Sequence, residues 1–241
     1  MNASTPMPAL DAAAPLFELR GISKSFPGVK ALDDVSFAIW PGEVHMLLGE
    51  NGAGKSSLMK VLCGAYTADG GEFFLSGRKV EMSSAADARK LGIAVIFQEF
   101  SLVPYLDIAQ NIYLGREPRG WLPGTIDRGR ILRDARALLA TIGFDIDPST
   151  PVHKLGVAQQ QMVEIAKALS QDARILVMDE PTAALSDRET ELLFAMIAKL
   201  KAKGAAIVYI SHRMAEVFAL GDRITVLRDG KKVVEAMPGQ S

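Results

Sequence analysis

Two short runs in this 241-residue chain combine side chains and spacing suited to phosphate chemistry. Gly49-Glu50-Asn51-Gly52-Ala53-Gly54-Lys55-Ser56 fits the pattern G-x-x-x-x-G-K-[ST], between an expected strand at 44–48 and a helical pattern that begins near Lys55. Glycine lets backbone amides approach phosphate oxygens because no Cβ intervenes. The start of the next helix adds unpaired N–H groups and the positive end of its dipole. In that setting Lys55 is expected to neutralise β- and γ-phosphates, and the Ser56 hydroxyl to reach Mg²⁺. The second run is Ile175-Leu176-Val177-Met178-Asp179-Glu180. Burial accounts for its four apolar residues but not for two adjacent carboxylates, which must face a metal, water or solvent. Ligands of parallel sheets gather beyond the carboxyl ends of the strands. Asp179 is therefore expected to hold Mg²⁺, directly or through water, and Glu180 to orient and deprotonate an attacking water.

These residues need a sheet whose strands end together. From residue 16 onward short apolar runs alternate with helical patterns, as in an α/β protein with a largely parallel sheet. Strands are expected at 17–22, 35–39, 44–48 and 73–75 with one intervening helix near 55–63, an opening that reads as a mixed sheet. A further strand is expected at 91–97, after a helical stretch at 84–90. Leu132, Ala135, Leu138, Leu139 and Ile142 follow helical spacing from Ile131, and Gly143 stops them. Met162, Ile165, Ala166 and Leu169 mark a second amphipathic helix, leading into the run at 175–178. Ser186-Asp187-Arg188-Glu189 fits a capping box for a helix that buries Leu193, Met196, Ile197 and Leu200 and ends at Gly204. Ala206 opens another buried strand, to 210. Asp229-Gly230, between apolar runs at 224–227 and 233–234, signals a two-residue hairpin. Residues 102–155 are richer in helix and loop signals than their flanks and read as a subdomain, with an irregular connection at 118–124.

Composition narrows the class. The chain is 49% apolar and 23% charged, ordinary globular values. Its 27 basic and 28 acidic residues leave a formal charge of −1, so charge lends no support to a nucleic-acid partner. The single cysteine, Cys63, has no partner for a disulfide or a zinc site and reads as a small core residue in a reducing compartment. No apolar run approaches the roughly 18 residues that cross a bilayer. Residues 1–15, rich in proline and alanine and without Lys or Arg, read as a disordered lead-in rather than a secretory signal.

The two phosphate motifs and their order resemble the nucleotide-binding domain of ATP-binding-cassette (ABC) transporters, over about residues 16–234. The resemblance implies a P-loop NTPase of ABC type, with a mixed or parallel sheet core flanked by helices, an antiparallel β subdomain, and a helical subdomain at about 102–165. It implies ATP and Mg²⁺ as cofactors. The nucleotide contacts are then Phe26, which stacks on adenine, and the loop from Gly49 through Lys55, Ser56 and Ser57. The metal contacts are Ser56, Gln98 and Asp179. Gln98 also links the attacking water to the membrane partner, His212 contacts the γ-phosphate beside the base Glu180, and 184–187 is the loop that crosses the dimer.

Within the family the chain is most similar to bacterial monosaccharide importers of the ribose, xylose, arabinose and galactose type. The carrying residues are Phe26-Pro27-Gly28-Val29-Lys30-Ala31-Leu32, Asn111 to Glu117, Gln159 to Leu169, Asp179 to Ser186 and Ser211-His212-Arg213. Such ATPase subunits usually carry two domains in tandem, and this chain resembles the N-terminal half. The implied partners are a second ABC ATPase domain, in tandem or as a homodimer, integral membrane permease subunits and, indirectly, a periplasmic or extracellular sugar-binding protein, with no nucleic acid. The implied place is the inner face of the bacterial cell membrane, peripheral and cytoplasmic.

One departure stands out. The family's Leu-Ser-Gly-Gly-Gln signature, used in trans, is here Leu155-Gly156-Val157-Ala158-Gln159, so the serine hydroxyl and both inner glycines are replaced. Similar changes occur among the sugar-importer relatives. The departure also suits the alternative of a regulatory cassette that binds ATP with little hydrolysis. A soluble cassette ATPase acting on DNA or ribosomes fits less well without a basic excess or long coiled-coil insertions. A small-molecule kinase would share the glycine loop but not Gln98, the Gln159 segment and His212. Substituting Lys55→Ala should weaken nucleotide binding by roughly 1.5–3 kcal/mol, the worth of a charge-assisted phosphate contact. A titration with ATP measures it, and unchanged affinity would refute that role.

Overall fold

The computed structural model describes residues 14–97, 100–121 and 124–237. Among these described residues ten strands form two sheets. β1 (Phe17–Phe26), β2 (Val29–Ile39), β4 (Gly70–Leu75) and β5 (Arg78–Val80) make an antiparallel sheet in the order β2-β1-β4-β5. The second sheet runs β10-β9-β3-β8-β7-β6. It comprises β3 (Val44–Leu48), β6 (Ile93–Ile96), β7 (Ile175–Asp179), β8 (Ala206–Ile210), β9 (Arg223–Arg228) and β10 (Lys231–Ala236). All its pairings are parallel except the β9–β10 hairpin. The expected single mixed sheet at the start of the chain is therefore corrected. β1, β2 and β4 stay antiparallel, and β3 leaves them for the second sheet after a turn at Pro41-Gly42, where Gly42 adopts φ 68°.

Parallel strands covered on both faces should be largely apolar, and β6, β8 and β7 as far as Met178 are. Ile175 and Val177 face one cluster with Leu47, Val208, the antiparallel sheet and α1 (Lys55–Leu62). Leu176 and Met178 face the other, with Met46, Tyr209 and the helices α3 (Ile108–Tyr113), α4 (Arg128–Ile142), α5 (Val157–Leu169) and α6 (Asp187–Ala202). The remaining helices are α2 (Ala85–Lys90) and α7 (Met214–Leu220). α4 ends at Gly143 with φ 74°, a left-handed stop of the kind glycine favours. The Glu189 carboxylate accepts the Ser186 amide at 2.9 Å at the start of α6. In the expected connection at 118–124, residues 122 and 123 lie outside the described residues; around them Arg119 bridges Ile126, and Gly120 N–H donates to the Thr125 carbonyl at 2.8 Å. Cys63 is half-buried at the end of α1, not a core residue, and burial pushes its thiol pKa up. Among the described residues no helix is long and apolar enough to cross a membrane.

One buried polar residue ties the two sheets together. His45 of β3 is 1% exposed and stacks on Phe37 of β2 with ring centroids 4.2 Å apart. Its Nδ1 lies 2.9 Å from the Ala38 carbonyl, which can only accept, so Nδ1 carries the proton. Nε2 then accepts from Thr225 Oγ1 at 2.8 Å. Burial pulls the ring's pKa down to about 4, so protonation on acidification favours the unfolded chain. Stability contributed by the neutral ring is full above pH about 6.5 and drains away as pH falls toward 4, worth roughly 3 kcal/mol. Denaturation at pH 7, 5 and 4 should show a shallower acid loss in His45→Gln than in the wild type.

Candidate functional site

The loop after β3 is held from behind by the turn of the β9–β10 hairpin. Gly49 sits at φ 153°, and a Cβ there would lie 2.5 Å from the Leu227 carbonyl oxygen. Gly54 sits at φ 103°, where a Cβ would come within 2.6 Å of the Ala31 carbonyl oxygen. Gly230 N–H donates to the Ala53 carbonyl at 3.1 Å, and its own carbonyl accepts from Asp33 N–H at 2.8 Å. The chain is thereby pressed against two neighbouring segments, the β9–β10 hairpin and β2, while its outer face stays open. Lys55 Nζ donates to the Gly49 carbonyl at 2.5 Å and to Glu50's at 3.0 Å, which holds the ammonium over the loop.

The acidic pair lies across from it at the end of β7. Asp179 pairs with Ile210 in the parallel ladder, and Glu180 N–H extends the pairing to the Ile210 carbonyl at 3.0 Å. Glu180 then turns at φ 44°, a left-handed conformation uncommon for a residue with a side chain. Burial pushes the Asp179 carboxyl pKa up, the Glu180 charge adds to this, and Lys55 opposes both. His212 Nδ1 lies 3.0 Å from Glu180 Oε1.

A cleft of about 820 Å³ unites these groups, of a size that suits a nucleotide-sized ligand. Glu50, Asn51, Gly52, Gly54, Lys55, Ser56 and Ser57 line one side, Asp179 and Glu180 another, and Phe26 a third. Phe26 is partly exposed and meets Tyr66 edge-on at 5.2 Å. Gly49 and Ala53 form the back of the loop; Ala53 is buried. His212 reaches the cleft through Glu180. Gln98 lies outside the described residues. Leu155, Gly156, Val157, Ala158 and Gln159 do not line the cleft. Leu155 ends a short 3-10 turn, Gly156 caps α5 and Val157, Ala158 and Gln159 begin it, with Gln159 Oε1 accepting the Gly156 amide at 3.1 Å. Val157 instead shares a smaller hollow with Glu180, Pro181 and Ala184. Lys30, Ala31, Asp229 and Gly230 also line the cleft and were not among the expected residues. The Asp229-Gly230 hairpin signal placed a turn there but carried no information about which loop it would brace.

The fold and cleft define an α/β protein with the P-loop NTPase architecture. The family model described as ABC transporter matches residues 32–183, and the chain belongs to that family. It is 59% identical over 219 residues to the ribose import ATP-binding protein RbsA 1 of Rubrobacter xylanophilus, covering 91% of this chain and 44% of that protein. It is 54% identical over 218 residues to ribose import ATP-binding protein RbsA 2 of Streptomyces coelicolor, covering 90% and 42%. The chain thus spans less than half the length of these curated relatives. Among solved structures it resembles a nucleotide-free ATP-binding cassette from an ABC transporter, with a TM-score of 0.82 and 26% identity over 92% of this chain and 91% of that one. It also resembles a cassette in its ADP conformation, with a TM-score of 0.80, 26% identity and the same coverage.

The loop geometry yields a paired test. Gly49→Ala places a methyl group against backbone and should cost on the order of 2–3 kcal/mol. Gly52→Ala, at φ 83° with nothing within 4 Å, meets conformational strain alone and should cost about 1–2 kcal/mol. Denaturant midpoints at unchanged slope would rank the two in that order.

Proposed function

We propose that this chain binds Mg²⁺-ATP in the cleft and hydrolyses it, energising import of a monosaccharide through a separate membrane permease. The carrying observation is the joining of Lys55, Asp179 and Glu180 around one cleft, with His212 bonded to Glu180 at 3.0 Å. Lys55 exchanges its two loop carbonyls for phosphate oxygens, and the amides at the start of α1 face the same charge. A carboxylate only accepts, so His212 donates from Nδ1; a γ-phosphate oxygen also only accepts, so the contact with it needs a second proton, on Nε2. Glu180, oriented by that bond, takes the proton of the attacking water. Phe26 offers its ring to adenine.

The residues present suit Mg²⁺. Ser56 and Asp179 are hard oxygen donors on one cleft, and Asp179 is a half-buried carboxyl that an adjacent cation would stabilise in its charged form. Those two residues and Gln98 would hold the ion, which supplies charge neutralisation for the phosphates.

The sugar class rests on the relatives named as ribose import ATP-binding proteins. ATP would lie between two cassettes, with the partner's signature completing this site and residues 155–159 here serving the partner's. The permease would dock at a groove of about 360 Å³ on a different part of the surface, lined by Phe97, Ser101, Arg89, Glu164 and Lys167. We read 102–165 as the helical subdomain, which gives Glu164 to that groove, and place the chain peripherally at the inner face of the membrane. The sugar-binding protein acts only through the permease. A regulatory cassette with little hydrolysis is the second reading; it applies to a pair of two such chains, where Gly156 offers the partner's site no hydroxyl and its amide is already taken by Gln159. Phosphate release decides between them. Glu180→Gln should slow hydrolysis by roughly a hundred-fold or more while ATP binding persists. Equal slowness of the wild type and the variant, alone and with a second cassette, would leave only the regulatory reading.

A further inference from the structure

Behind the reacting pair lies a buried carboxylate that the mechanism above does not use. Glu216 of α7 is 4% exposed. Its Oε1 accepts from Thr182 Oγ1 at 2.6 Å, and its Oε2 accepts from Ser211 Oγ at 2.7 Å and Tyr209 OH at 3.1 Å. Arg213 Nη1 stands 3.6 Å from Oε1, and Ser211 Oγ in turn accepts the Arg213 amide at 3.0 Å. Thr182, Ser211 and Tyr209 are themselves buried.

The chain positions of the donors matter more than their number. Thr182 follows Glu180 by two residues, in the turn that begins with the Ala183 amide donating to the Glu180 carbonyl at 3.1 Å. Ser211 and Arg213 flank His212 on either side. One carboxylate therefore spans the two strand-end turns that present Glu180 and His212. Moving either turn breaks bonds to the same group. Burying a carboxylate is costly without full compensation, and an apolar residue would pack α7 at lower cost. A complement to the helix dipole needs no burial, because an exposed acidic side chain in the first turn provides it. Tyr209 remains a donor in this network, since burial and the adjacent Glu216 charge push its phenol well above the ordinary range.

We propose that Glu216 is a positioning residue that sets the Glu180–His212 pair by clamping the turn after β7 to the turn after β8. The proposal rests on the reading of Glu180 as the base of ATP hydrolysis. Its role is to hold an angle and a distance, so its loss should reach turnover and leave nucleotide affinity alone.

The test compares the wild type with Glu216→Gln, Thr182→Val, Ser211→Ala and Glu180→Gln, each labelled with ¹⁵N-histidine. The chain has 3 histidines, so His45 and His153 serve as internal references for His212. We expect Glu216→Gln to lower kcat about ten- to a hundred-fold with the ATP Kd held within about two-fold, the pattern of a misplaced reacting group. The His212 Nδ1 resonance should move toward its position in Glu180→Gln while those of the other two histidines stay. Thr182→Val and Ser211→Ala should each reproduce part of the loss and add little in the Glu216→Gln background. They carry the same readouts should Glu216→Gln fail to fold. An unmoved His212 resonance, wild-type kcat, or a parallel fall in kcat and ATP affinity overturns the proposal. If the wild type and Glu180→Gln release phosphate equally slowly, the hydrolysis reading fails separately, and the His212 resonance alone decides whether Glu216 sets the pair.

Discussion

Three adjacent parallel strands, β3, β8 and β7, carry the register on which the cleft depends. Leu47 pairs with Ile210, and Ile210 with Asp179, so the three chains leave the sheet side by side. Each then turns polar at once: a glycine loop and Lys55 after β3, Ser211 and His212 after β8, Glu180 after β7. A one-residue slip in any ladder would exchange its two faces and bury the wrong side chains. The apolar interiors of the strands thus fix where the charged ends meet, although no apolar residue takes part in the chemistry.

The charges at those ends are balanced by near neighbours. Lys55 rests on loop carbonyls, Glu180 on His212 and Glu216 on three hydroxyls. Asp179 has the Lys55 charge to offset its burial and its acidic neighbour. Such mutual support keeps a cluster of polar groups compact at the edge of a dry core, where an unpaired charge would be costly.

Much of this was legible in the residues. The strands at 44–48 and 206–210 have the expected ends because each apolar stretch, interrupted only by His45, stops at Gly49 or Ser211. The glycine loop and the carboxylate pair were legible because each defies the burial pattern around it. α3 and α7, with 6 and 7 residues, were missed because fewer than two turns establish no period. The start of α3 did carry a signal, Asp107 with Gln110, whose reciprocal bonds at 2.7 and 3.0 Å form a capping box. The Glu216 cluster had no such signal. Its members at 182, 209, 211 and 216 belong to separate elements, and a glutamate in the first turn of a helix reads as an ordinary exposed residue until tertiary packing closes over it. The early antiparallel sheet was misjudged for a related reason: period-2 alternation tells which face a strand buries, not which sheet it joins.

The β6–β7 register carries a mechanical implication. Ile96 lies opposite Met178, so the next residues out, Phe97 and Asp179, leave neighbouring strands at the same level. Phe97 lines the surface groove and Asp179 the cleft. The lever between the two openings is a single strand spacing, about 4.8 Å. A body pressing on one of them needs no long relay of side chains to be felt at the other, because both hang from the rim of one stiff plate.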